Sequence, residues 1–277
     1  MELTNSSVRE IIQEPGIDGM LRHIDYCAGV CYNRHGISKK GSEKFVKGLY
    51  DRGHMRPLEF GTVYLNLPLR FWKPFDDSDE ISRIINSPYS RTEQGKNSWS
   101  VNVSTNFRVL CENLGFDEAL EFIKMYGTEE CFHERRTFGF ILSRAIADEF
   151  RTHITLSSLM KSTRYVNEMK NGMKFVKPYW FVDGEEEDIG TREWLFCSHC
   201  EDTEIRYNRM VREFGMKPQE ARQILALSLE TELYQCGFTD LAGEGWDMFL
   251  RRRGDVVNAD PDAYKLACEL QKLIDKK

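Results

Sequence analysis

The chain has 277 residues, 41% of them hydrophobic and 12% aromatic, enough apolar material for a sizeable core in one or two domains and too much for intrinsic disorder. Its 38 Lys and Arg against 44 Asp and Glu leave a net charge of −6, which argues against a broad basic surface for duplex nucleic acid or anionic membrane but leaves room for a local cationic pocket. No stretch approaches the roughly 20 apolar residues of a membrane span, and Met1-Glu2-Leu3-Thr4-Asn5 lacks the basic-then-apolar order of a signal peptide. A cytoplasmic protein with no membrane or nucleic-acid partner is expected.

In chain order, residues 20–54 read as helical, with a capping-type start at Ser42-Glu43-Lys44-Phe45 and a stop at Gly53. Thr62 to Leu67 alternates and is β-branched, which predicts a strand ending at Pro68. Residues 73–98 are polar and turn-rich and read as a surface loop or insertion. Trp99 to Val103 predicts a strand, and Phe116, Ala119, Leu120 and Ile123 mark the buried stripe of a short helix. Arg135 to Leu142 predicts a more buried strand, followed by a helix through Phe150. Lys174 to Lys177 is a further strand closed by Pro178, and the acidic turn 183–188 reads as a solvated loop. Long helices are expected at about 191–214 and 259–275, the last with Ala263, Leu266, Ala267, Leu270 and Ile274 on one face. Between them, Pro218 marks a helix start, while Thr231-Glu232-Leu233-Tyr234 fits strand or helix. Helices and strands without regular alternation predict an α+β fold. No repeat or linker divides the chain, so one domain over 1–277 is expected.

Eight cysteines are sparse for this length, and reduced thiols are expected. Cys197-Ser198-His199-Cys200 has the spacing of half a zinc site, but four ligands are needed and no second pair is evident, so thiols on a helix are expected and no metal. Dinucleotide, Walker A, zinc-protease and nucleophile-elbow motifs are absent. The informative segment is Arg151 to Tyr165, where His153, Ser157, Ser162, Arg164 and Tyr165 can all contact a ligand. Arg164 beside a small hydroxyl makes an anion clasp, since guanidinium offers phosphate two aligned donors. A surface turn with a structural arginine is the alternative.

This segment resembles the signature Arg-His-Arg-x-x-Ser-x-Asn-Glu-x-Ser-x-Arg of the flavin-dependent thymidylate synthases, with His153 as the central histidine and Ser157, Ser162 and Arg164 on the two serines and the last arginine. Arg52-Gly53-His54-Met55-Arg56-Pro57-Leu58-Glu59-Phe60 is similar to the family's Arg-Gly-His-x-Ser-Pro-Leu-Glu-His turn. Thr137 to Arg144, Lys217 to Leu225 with Thr231-Glu232, and Trp246-Asp247-Met248-Phe249-Leu250-Arg251-Arg252-Arg253 resemble further family segments in the same order, over roughly residues 20–270.

The resemblance implies the family's α+β fold, with a mixed or antiparallel sheet and flanking helices. It implies methylation of dUMP to dTMP, with methylenetetrahydrofolate as carbon donor and NADPH acting through FAD as reductant. Carried over by position, Glu149, Ser162, Arg164, Arg222 and Arg253 would bind the nucleotide, with Arg253 also catalytic at the uracil edge. Glu59 and His153 would lie at the flavin, and a homotetramer with shared sites is expected. The chain departs from the pattern at Thr152 and Ile154, where the family has arginines, at Leu159-Met160 for Asn-Glu, and at Phe60 for the last His of the turn. The losses cluster on the flavin side, so two alternatives stand beside the synthase: a pyrimidine nucleotide site with altered C5 chemistry, and a non-catalytic nucleotide-binding protein.

Overall fold

The computed structural model describes residues 1–39, 41–71, 79–95, 99–170 and 172–276. Its strands form three sheets among the described residues. A short parallel pair joins β1 (Glu2–Thr4) to the later β8 (Lys174–Val176). A second, antiparallel sheet has β5 (Ser100–Asn106) between β3 (Thr62–Pro68) and β4 (Arg91–Gln94). The third is antiparallel throughout, in the order β2 (Ser7–Ile11), β6 (Arg135–Ser143), β9 (Glu230–Phe238) and β7 (Ser157–Met160). The fold is therefore α+β with antiparallel sheets, as expected, beside one short parallel pair.

Apolar stripes place the helices. α1 (Gly16–Gly29), α2 (Ser42–Asp51), α4 (Phe107–Leu114) and α5 (Phe116–Tyr126) bury Leu21, Ile24, Leu49, Leu110 and Ala119 against Val63, Leu65, Val101 and Val103 of the β3–β5 sheet. A second core lies on β6 and β9 beneath α6 (Arg144–Phe150), α9 (Gly245–Arg253) and α10 (Pro261–Ile274). Here Phe138 meets Trp246 edge-on at 5.0 Å and Phe150 meets Phe249 at 4.7 Å; truncating a ring so packed costs about 3–5 kcal/mol. Asp260 caps α10 through Asp262 N–H at 2.8 Å, with Pro261 in the first turn, where a missing N–H is harmless. A third core lies under α7 (Arg192–Arg212) and α8 (Pro218–Ala221).

Two expectations change and one open reading is decided. The helical span 20–54 is two helices, broken where Asn33 takes a left-handed conformation (φ 53°). The loop is tied to the fully buried Asp25, whose carboxylate accepts from Arg34, from the Ser38 N–H at 2.8 Å and from the Ser42 hydroxyl at 3.0 Å. Within the expected 73–98 loop, residues 73–78 and 96–98 lie outside the described residues, but α3 (Glu80–Ile85) and β4 are regular. Asp79 caps α3 through Ser82 N–H, and Ile84 and Ile85 enter the first core. The segment 231–234 is strand, because all nine residues of β9 keep register with β6. The Cys197/Cys200 pair sits on α7, both thiols buried. Among the described residues no His, Cys, Asp and Glu group is placed to hold a metal, and no helix is long and apolar enough to cross a membrane.

Candidate functional site

Trp246, Phe249 and Arg253 are spaced i, i+3 and i+7 on α9, so the face that buries the two rings on the sheet also carries Arg253. It is thereby aimed at the end of α6, where the chain leaves the helix through Thr152 and His153. Four of its five N–H groups find protein acceptors. The Nε–H donates to His153 Nε2 at 2.9 Å and an Nη1–H to the Glu149 carboxylate. The Nη2 group donates to the Glu149 carbonyl at 3.2 Å and the Thr152 hydroxyl at 3.3 Å. Arg251, in the same triplet, instead pairs with Asp247 on the outer face at 2.8 Å.

Because Arg253 donates to Nε2, the buried His153 ring is neutral and carries its proton on Nδ1. Burial, reinforced by the charges of Arg253 and Arg252, pulls its pKa down to about 4. The ring packs on Phe249 at 4.9 Å, and the buried Nδ1 has no hydrogen-bond partner among the described residues. A buried donor left so is costly and is available to an acceptor on a ligand.

Ser162 and Arg164 lie elsewhere on the chain. Ser162 donates its N–H to Cys31 O at 3.3 Å and its hydroxyl accepts from Arg164 N–H at 3.2 Å. The exposed Arg164 guanidinium lies over Tyr165 at 5.5 Å, and Tyr165 stacks on Tyr32 at 5.7 Å. Arg222, exposed in the turn after α8, is near Arg144 rather than Arg253. Within one chain no contact joins Arg164, Arg222 and Arg253, which the sequence expects to converge.

Arg144, which sequence reasoning passed over, is half-buried at the start of α6. Its acceptors are neutral and distant: Lys161 O at 3.5 Å, Thr231 Oγ1 at 3.4 Å and Met160 Sδ at 3.9 Å. Burial lowers its pKa, Arg222 and Arg151 add to the lowering, and the charges of Asp148 and Glu168 oppose it. A desolvated guanidinium with no carboxylate in contact, beside a second cation, is an arrangement that an anion relieves. The one sequence sign was its place ending the run Thr137 to Arg144. Next to it, Lys161 is neutralised by the buried Glu168 at 2.8 Å.

Glu59 lies in neither group. It is buried at the wall of a cavity of about 560 Å³ that also takes in Ile154 to Ser157, so this cavity and His153 flank the same short loop. Arg108 donates to Glu59 at 2.6 Å, and Arg135 donates to the Glu59 carbonyl at 3.1 Å. On β9, a Cβ at Gly237 would meet Leu156 Cδ2 at 2.4 Å, so glycine lets the 153–157 loop lie against the strand.

A family model described as thymidylate synthase complementing protein matches residues 118–237, the span holding β6, α6, the 151–165 segment and β9. Over this span the chain is similar to that family. No curated protein matches the chain. Among solved structures it is similar to thymidylate synthase X from Helicobacter pylori with FAD and dUMP, at 20% identity and TM-score 0.37 over 50% of this chain. It spans 66% of that protein's length. It is also similar to a UMP/dUMP methylase, PolB, from Streptomyces cacaoi bound with 5-Br dUMP, at 12% identity and TM-score 0.43, covering 99% of this chain and 91% of that one.

Proposed function

We propose that the protein methylates dUMP, or a closely related pyrimidine nucleotide, at C5, using methylenetetrahydrofolate and an FAD reduced by NADPH. The observation that carries this reading is the meeting of Glu149, His153 and Arg253, which the family resemblance selects and which lie up to 104 positions apart in sequence. Arg253 keeps one uncommitted N–H for the uracil edge, where developing negative charge would be stabilised; Glu149 holds it in that orientation. Arg144 and Arg222 supply cations for the nucleotide phosphate, and Ser162 and Arg164 complete that site from a neighbouring copy in a homotetramer.

The residues present fit an anionic flavin cofactor. His153 offers a buried Nδ1–H with no acceptor of its own, and the cavity beside Glu59 is lined by more guanidiniums than carboxylates. When bound, FAD would supply the hydride that turns the transferred methylene into a methyl group. The chain's part is to orient both ligands, exclude water and keep His153 neutral as a donor.

The test is purification followed by a visible spectrum, dUMP titration and a product assay with methylenetetrahydrofolate and NADPH. Retained flavin absorbance, dUMP binding and dTMP formation are the expected results. A second reading, the same nucleotide site with altered C5 chemistry or with none, is favoured by Thr152 and Ile154, which put a hydroxyl and a 90% exposed alkyl group where the family has guanidiniums. A colourless protein that binds dUMP without forming dTMP would select it.

A further inference from the structure

The signature has arginines at positions 152 and 154, on the flavin side; here they are Thr152 and Ile154. Thr152 is turned to Arg253, whereas Ile154 stands at the rim of the cavity beside Glu59. Four guanidiniums from four other parts of the chain line that cavity: Arg56 before β3, Arg91 on β4, Arg108 on α4 and Arg135 on β6. Two are neutralised locally. Arg108 is shared by Glu59 at 2.6 Å and Glu112 at 2.7 Å, and Arg91 pairs with Glu244 and donates to Pro88 O at 2.8 Å.

The other two are not. Arg135 donates only to carbonyls, Thr105 O at 3.0 Å and Glu59 O at 3.1 Å, and stacks on Phe238 at 5.4 Å, which leaves three of its N–H groups uncommitted. Arg56 is exposed and has no ion-pair partner among the described residues. Two guanidiniums without carboxylates of their own match the two negative charges of a diphosphate diester, and planar forks suit its oxygens. Leu156, Phe238 and Met248 give the same cavity an apolar wall, the mixture usual for a cofactor cleft.

We propose that Arg56 and Arg135 hold the diphosphate of the flavin cofactor in the cavity beside Glu59, replacing the guanidiniums missing from the signature. The inference rests on the flavin reading above and adds that the cation supply has moved to other residues lining the same cavity. Fluorescence titration of the full-length protein with FAD and with riboflavin, which has no phosphate, tests it. Arg56→Gln is expected to weaken FAD binding about tenfold and leave riboflavin within twofold, while Arg56→Lys loses less. Ile154→Arg in the Arg56→Gln background is expected to recover FAD affinity, because it restores a guanidinium to the same cavity. Circular dichroism confirms that each variant is folded. Unchanged FAD affinity in Arg56→Gln, or an equal loss for riboflavin, overturns the proposal. Titration with inorganic pyrophosphate separates the two levels. If the parent protein takes up no flavin but binds pyrophosphate in an Arg56-dependent way, the arginine site stands, while its assignment to a flavin and the flavin reading both fall.

Discussion

The Glu149–His153–Arg253 cluster and the cavity beside Glu59 flank the same loop, residues 153–157, yet they are opposite in electrostatic design. In the first, one guanidinium spends four of its N–H groups on protein acceptors and its charge meets a carboxylate. In the second, among the described residues, two guanidiniums have only carbonyls, or nothing, to donate to. A saturated cation fixes geometry; an unsaturated one waits for an anion. A cationic side chain in a cleft is therefore a ligand contact only to the extent that the protein has left it unneutralised, and by that measure Arg56, Arg135 and Arg144 are better anion contacts than Arg253.

The largest expected effect breaks the saturated side. Arg253→Ala leaves the Glu149 carboxylate and the buried His153 Nε2 without their donor and should destabilise the fold by about 3 kcal/mol; a loss under about 1 kcal/mol in urea denaturation would show that the cluster is not closed. Acid acts on the same cluster. His153 titrates at about 4 in the folded chain against 6.5 as its ordinary value, so between these pH values the unfolded chain binds the additional proton and stability falls as pH falls. The buried His23, its pKa also drawn down to about 4 by desolvation, adds in the same direction. Each ring contributes on the order of 2–3 kcal/mol over that window, and His153→Gln should flatten the stability profile between pH 6.5 and 4 relative to the parent.

The unsaturated side responds in binding instead. Arg144→Met removes a desolvated cation with no carboxylate contact, so stability should hold or rise slightly while dUMP affinity drops by about 2 kcal/mol. Deoxyuridine, without the phosphate, should bind the variant and the parent alike; calorimetry with both ligands decides. Arg164→Ala, fully at the surface, should leave stability within about 0.5 kcal/mol and weaken dUMP about tenfold, the smallest effect of the set. Unchanged affinity there would remove Arg164 from the site.

Elements with a period of their own were readable in the chain. β3 and β6, the stripe of α5 and the capped α10 fall within a residue or two of where alternation, i/i+3/i+4 spacing and Pro68 put them. The break between α1 and α2 was not, because it is set by hydrogen bonds from Arg34, Ser38 and Ser42 to Asp25, which leave no mark on hydrophobic period. Nor were α3 and β4, too short for a period and embedded in polar sequence. For the site, Glu149, His153 and Arg253 were visible as a resemblance, while Arg56 and Arg144 lay inside matched segments without being singled out and Arg135 lay outside them.

What the sequence decided by itself is local direction: the spacing of Trp246, Phe249 and Arg253 obliges the arginine to follow the buried rings toward the sheet, whatever lies there. What only the tertiary structure decided is which charges are neutralised. Carboxylate and guanidinium meet through space, Glu59 with Arg108 and Glu149 with Arg253, and attraction between them depends on distance and burial rather than on order along the chain. Two arginines equal in the sequence thus become, after folding, a fixed strut and an open donor.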